Sequence, residues 1–180
     1  FVTVECGISG AALDDALKPH DVRTPFWGTG SGKYATVGGT LSQNAINYGS
    51  GQFGPAVDSV LGLQVVLADG TALTTGSAAT PFAPSPFFRT YGPDLTGIFL
   101  ADTGALGIKA TATLKLIPRA PVTLYASFEF RAADELCSTM SALARQALTS
   151  ECSGYDALLM AYMIRKQSLA DDIRKLGQVV

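Results

Sequence analysis

The sequence predicts an α+β fold, and three observations predict it. Runs that alternate apolar and polar residues, at 2–5, 63–68, 108–116 and 122–130, have the period of two of a half-buried strand. Runs with apolar residues three and four apart, at 12–17, 95–99 and 136–147, have the period of an amphipathic helix. Between the first helix and the second strand lies a glycine-dense stretch holding Gly28, Gly30, Gly32, Gly38, Gly39, Gly49, Gly51 and Gly54. It is too rich in glycine for an ordinary helix or strand, because each glycine costs backbone entropy in either. Glycine offers positive φ and a close approach of backbone N–H groups to a ligand. The stretch therefore reads either as a backbone cradle for a large phosphate-bearing ligand or as a turn-rich surface loop.

Composition narrows the classes. The 180 residues are 47% hydrophobic and 16% charged, enough apolar material for the core of one domain or two small ones. The net charge is −2 and no Lys/Arg cluster occurs, which argues against nucleic acid and anionic membrane surfaces as partners. The longest apolar runs, such as 60–68, are too short to span a bilayer, and no secretory signal pattern is present. Cys6, Cys137 and Cys152 are odd in number and scattered, so they read as buried free thiols of a reducing cytoplasm rather than a disulfide framework or zinc site. His20, beside Pro19, is the lone histidine and reads as a loop residue, so no metal site is expected. The chain opens on Phe1 in mid-alternation, from which a preceding segment is expected.

In order, residues 1–5 form a strand ended by Gly7. Ser9 then caps a helix by accepting from a free first-turn N–H. Ala12, Leu13, Ala16 and Leu17 share its inner face, Asp14 and Asp15 point outward, and Pro19 stops it. Residues 22–39 read as irregular. The GTGSGK run at 28–33 fails as a nucleotide phosphate loop: that pattern needs glycine where Trp27 stands and Ser or Thr where Tyr34 stands. Residues 55–61 suit a single helical turn. Leu63, Val65 and Leu67 face one side of a strand, and Asp69-Gly70 turns it into a hairpin with 71–75. The proline-punctuated 76–86 is loop.

Pro93 and Asp94 then start a helix with Leu95, Ile98 and Phe99 on its apolar face. The next strand carries Ile108, Ala110, Ala112, Leu114 and Leu116 inward, and Lys109, Thr111, Thr113 and Lys115 outward. PRAP at 118–121 marks a boundary. Beyond it come a strand at 122–130, a helix at 133–148 and a second helix at 155–176, with Met160 and Met163 as core. One strand cannot make a sheet, so this second unit reads as incomplete.

Three segments resemble the flavoproteins with an FAD-binding domain of the p-cresol methylhydroxylase and vanillyl-alcohol oxidase (PCMH) type. They are VTVECGISGAALDDAL (2–17), TVGGTLSQNA (36–45) running through Phe53-Gly54 to DSVLGLQVVLADG (58–70), and DLTGIFLADTGALGIKATATLKLIP (94–118). The nearest branch is similar to D-lactate dehydrogenase, glycolate oxidase and D-2-hydroxyglutarate dehydrogenase. Ile46 and Asn47 stand where the family often has Gly-Gly, and Asp102-Thr103 where it often has Ser-Glu.

The resemblance implies that residues 1–118 are the second subdomain of such an FAD-binding domain and that 119–180 begin an α/β cap. Its first subdomain, with a phosphate loop of its own, and the rest of its cap are not in this sequence. It implies FAD as cofactor, with Thr36, Gly38 and Gly39 presenting N–H groups and a hydroxyl near the pyrophosphate and flavin. Pro25 and Ala35 would line the same loop; Ser42, Asn44 and Ala45 would run beside the ribityl chain and ring. Gly104, Gly107 and Ile108 would meet the adenine or ribose end. Small residues there would leave the cofactor its volume. The implied activity is oxidation of a small-molecule 2-hydroxy acid by hydride transfer to flavin N5. The free cysteines make the cytoplasm the expected location, and a homo-oligomer is a candidate assembly. No residue of this chain is identified as the catalytic base. The other reading is a flavin-fold segment that binds no cofactor and serves as a folded fragment or assembly partner.

Overall fold

The computed structural model describes residues 1–27, 32–46, 48–83, 85–90, 92–164 and 168. Most of the GTGSGK run, Asn47 and the second half of the expected 155–176 helix lie outside the described residues.

The fold is built on a four-stranded antiparallel sheet of order β1-β5-β3-β4: β1 Val2–Glu5, β3 Val60–Val66, β4 Ala72–Thr74 and β5 Ile108–Leu114. The β3–β4 hairpin closes where Asp69-Gly70 predicts it. Gly70 takes φ 85, which a β-carbon would disfavour, and the Asp69 carboxylate accepts the Thr71 N–H at 2.9 Å. Leu63 and Val65 are buried on β3 while Gln64 faces solvent, as the alternation requires. Val60, Leu114, Ala112 and Leu63 join Leu13, Leu17, Val37 and Leu41 of two helices in one core cluster.

The first of those helices, α1 (Gly10–Leu17), begins where Ser9 caps it, its hydroxyl accepting from the Ala12 N–H at 3.2 Å. Only Leu13 and Leu17 are buried; Ala12 and Ala16 are exposed, so the inner face is narrower than the spacing predicts. Asp14 is also not a free outward charge, because Arg119 reaches it at 2.7 Å. The chain then passes through a short 3-10 turn at Lys18–His20 into β2 (Val22–Arg23), which pairs with β6 (Ile117–Pro118). This small ladder replaces the start of the expected irregular stretch. Its two halves are far apart in sequence and leave no local period to read.

Two further expectations change. The helix expected to start at Pro93 and Asp94 is a single turn, α4 (Leu95–Ile98), capped by Asp94. Leu95 and Ile98 are exposed, and Thr96 and Phe99 supply the burial. In β5 the alternation inverts at its start: Ile108 is 72% exposed and Lys109 is buried. The cause is a β-bulge. Gln64 pairs with Thr111 but its neighbour Val65 pairs with Lys109, so Ala110 is an extra residue that turns everything before it to the other face.

Residues 122–130 form no strand. Val122, Leu124, Tyr125 and Phe128 are exposed, so the alternation lays no apolar face on the core. The helix expected at 133–148 is present as α5 (Ala133–Gln146), with none of its residues buried. The apolar α6 (Ala157–Ile164) follows it. The expected boundary falls close to Arg119, whose N–H donates to the Asp21 carbonyl at 2.8 Å and whose guanidinium donates to the Val22 carbonyl at 3.2 Å.

Candidate functional site

The candidate site is built along α2 (Val37–Ser42), a six-residue helix inside the glycine-dense stretch. Two devices allow a helix there. Thr36 caps it, its Oγ1 accepting the Gly39 N–H at 3.2 Å. Gly38 lets it lie against the turn after β1: a β-carbon at Gly38 would stand 3.0 Å from Cys6 Cβ and 3.2 Å from the Cys6 carbonyl oxygen. Replacing Thr36 with alanine is expected to cost about 1 kcal/mol, read as a lower urea midpoint with an unchanged slope.

The donors of this helix start are engaged within the chain. Val37 N–H donates to the Ile8 carbonyl at 2.9 Å and Gly38 N–H to the Cys6 carbonyl at 2.8 Å. Gly39 N–H goes to the cap and Thr40 N–H to the Thr36 carbonyl at 3.0 Å. The expected row of free N–H groups at Gly38 and Gly39 is therefore not there, because capping and the approach to Cys6 take them first. Ala35, just ahead, accepts from the Gly10 N–H at 3.1 Å and lines a small crevice with Phe26, Trp27 and Val37. The Pro25 carbonyl accepts from Arg23 at 3.5 Å.

The other end of α2 is where distant segments meet. Leu41 O accepts the Ala101 N–H at 3.0 Å and Ser42 O accepts the Thr103 N–H at 2.9 Å, which seats the loop before β5 on the helix end. Asn44 (φ 46), Ala101 (φ 56), Thr103 (φ 53) and Gly104 (φ 80) all take left-handed backbone here. For a non-glycine residue that conformation costs roughly 1–2 kcal/mol, and such strain gathers at binding sites. The Leu41 carbonyl also accepts the Asn44 N–H at 3.3 Å, so Asn44 and Ala101 share one acceptor at this helix end. Asn44 Oδ1 is buried there with no hydrogen-bond partner. A buried acceptor without a donor is costly, so this atom marks the place where an N–H or O–H from outside the chain would be stabilising.

Gly107 and Ile108 lie on the sheet side of the corner. A β-carbon at Gly107 would come within 2.5 Å of Val65 Cγ1, so its smallness is needed by the sheet itself. Ile108 pairs with Val66, and its side chain is exposed beside Leu106, also exposed.

Two residues that sequence reasoning left out hold this loop. Asp102 and Lys109 form an ion pair of 2.6 Å with both side chains 2% exposed. Asp102 also accepts the N–H groups of Gly104 at 3.0 Å and Leu106 at 3.3 Å. Burial pushes its carboxyl upward, but the Lys109 ammonium and the two N–H donors outweigh it and hold the group below the usual carboxylate range. Sequence alternation put Lys109 on the solvent face, and only the bulge at Ala110 reveals the inward turn. Burial pushes the Cys6 thiol up to about 11 despite the pull of Lys109, so it stays protonated at neutral pH and is no nucleophile. Cys137 is exposed and Cys152 half-buried, so of the three free cysteines only Cys6 is buried as expected. Among the described residues no three His, Cys, Asp or Glu side chains gather as a metal site, and no helix is long and apolar enough to cross a membrane.

Comparison with known proteins gives one family match: residues 1–76 match the family described as FAD binding domain. Over 129 residues the chain is 33% identical to the glycolate oxidase subunit GlcD of Escherichia coli (strain K12), covering 70% of this chain and 24% of that protein. It is also 33% identical over 129 residues to the probable mitochondrial D-lactate dehydrogenase of Danio rerio, covering 71% and 24%. The chain thus spans about a quarter of the length of these curated relatives. Among solved structures, an alkyldihydroxyacetonephosphate synthase superposes with TM-score 0.51 at 22% identity, over 64% of this chain and 19% of that one, a likeness of fold.

Proposed function

We propose, from the premise that residues 1–76 of this chain belong to the FAD binding domain family, that the chain is part of an FAD-linked oxidoreductase acting on a 2-hydroxy acid. The observation that carries the cofactor half is Asn44 Oδ1, buried and without a partner at the corner where α2 meets the 101–108 loop. An isoalloxazine imide and a ribityl chain offer N–H and O–H donors of the kind that oxygen lacks, so the residues present fit the group. Bound FAD would supply the two-electron acceptor for the substrate.

The chain's own residues would bind and orient. Asn44 accepts a donor from the cofactor. Ser42, Ala45 and Gly104 leave room beside it, and Thr36, Gly38 and Gly39 hold α2 rigid by capping and close packing. Pro25 and Ala35 border the opposite end, and Gly107 and Ile108 the sheet side. The exposed Ile46, Leu106 and Ile108 offer apolar surface that a flavin or a facing domain would remove from water. Residues 1–118 are read as the FAD-binding part and 119–180 as the start of a cap that faces the substrate. Free cysteines suit a reducing compartment such as the cytoplasm. A second reading, a segment that holds no cofactor by itself, is favoured by the engagement of the Val37, Gly38 and Gly39 N–H groups within the chain.

Asn44→Gly keeps the left-handed turn and removes the amide. It is expected to weaken FAD binding roughly 3–10-fold, the worth of one hydrogen bond, as measured by quenching of flavin fluorescence. The substrate class is tested by supplying D-2-hydroxy acids with a redox dye to the full-length protein. Dye reduction by a hydroxy acid and not by a phenol supports the reading. Failure with every hydroxy acid removes it.

A further inference from the structure

The buried pair Asp102–Lys109 has no part in the binding roles above, and its placement is unusual. Lys109 reaches the interior only because the Ala110 bulge turns it off the solvent face of β5. Asp102 then binds three donors at once: the Lys109 ammonium and the N–H groups of Gly104 and Leu106. Those bonds close residues 102–106 into a tight turn. The residues on either side of Asp102, Ala101 and Thr103, are the ones whose N–H groups reach the Leu41 and Ser42 carbonyls. Both sit in left-handed backbone that alanine and threonine do not favour. Something must hold them there, and the pinned Asp102 between them is the group in contact to do it. A buried ion pair is a weak source of net stability compared with apolar packing, and its best-attested use is to select one arrangement.

We infer that Asp102 and Lys109 are positioning residues: their ion pair locks the 101–106 loop onto the C-terminal end of α2 and thereby keeps Asn44 Oδ1 presented to its ligand. The ligand half rests on the flavin reading. The locking half stands on the chain alone.

The test uses the double variant Asp102→Asn with Lys109→Met, which removes both charges and leaves neither alone in the interior. Amide hydrogen exchange is followed at Ala101, Thr103, Gly104 and Leu106, with Leu63 and Ala112 of the sheet as reference, and FAD affinity is measured by fluorescence titration. The inference expects exchange at the loop amides to quicken by at least about tenfold while the sheet amides hold, and FAD affinity to fall by a similar factor. Loop amides as protected as in the wild type overturn it, as does an equal loss across loop and sheet, which would mark a merely structural pair. A loosened loop with unchanged FAD affinity overturns the link to Asn44. If the wild-type chain takes up no FAD, the flavin reading falls by that result, and the exchange comparison still decides the lock.

Discussion

Lys109→Met is expected to destabilise the protein by about 3–5 kcal/mol, because removing one partner of a buried ion pair strands the other charge. Methionine fills nearly the same volume, so packing contributes little and the stranded Asp102 carboxylate dominates. Asp102→Asn added to it should recover much of the loss. The pH dependence separates this cause from a simple packing defect. In the wild type the folded-state pKa of Asp102 is depressed. Its contribution is therefore present above the unfolded value of about 3.9 and is lost as pH falls through the lower folded value. In Lys109→Met burial acts without the ammonium and the folded pKa rises above the unfolded one. Folding then takes up a proton, and the penalty grows as pH rises through that raised value. Urea denaturation at pH 7 and pH 4.5 should show the larger deficit at pH 7. An equal deficit at both would assign the loss to packing.

Leu114→Ala is expected to cost about 2–5 kcal/mol, the transfer energy of the lost side chain plus a cavity its neighbours cannot close. Leu114 is 0% exposed at the crossing point of the sheet, paired with Val2 on one side and Val60 on the other. Collapse there would have to move β1 and β3 together, so relaxation is limited. Gln64→Ala on the solvent face of β3 should stay within about 0.5 kcal/mol. Thermal or urea unfolding of the pair measures the difference, and similar values would mean that Leu114 is not at the centre of the core.

The parts of the fold legible in the sequence were those with local chemistry. The Ser9 cap, the Asp69-Gly70 hairpin and the alternation of Leu63, Gln64 and Val65 each announce themselves within a few residues, and each is present. The parts that were not legible depend on distant partners. β2 and β6 form a ladder between segments almost a hundred residues apart, beside the Arg119–Asp14 ion pair. The bulge at Ala110 is a property of the β3–β5 register, and without it Lys109 reads as a surface residue. Residues 122–130 have the pattern of a strand, yet Val122, Leu124, Tyr125 and Phe128 are all exposed and the segment is irregular.

The candidate site divides in the same way. Glycine density drew attention to 28–54 and suggested open N–H groups, where 37–42 form a capped helix packed on Cys6. The meeting of Asn44 with the 101–104 loop through the Leu41 and Ser42 carbonyls has no signature in spacing. It depends on α2 and the approach to β5, almost sixty residues apart in sequence, lying side by side.

FAD binding at the α2 corner is measured most directly by an FAD titration followed by NMR, with the Asn44 side-chain amide and the backbone amides of Ala45 and Gly104 as reporters. These signals are expected to shift saturably with FAD while the amides of β4 (Ala72–Thr74) stay in place. Signals at that corner that do not move at any FAD concentration, or shifts confined to the far edge of the sheet, would contradict it.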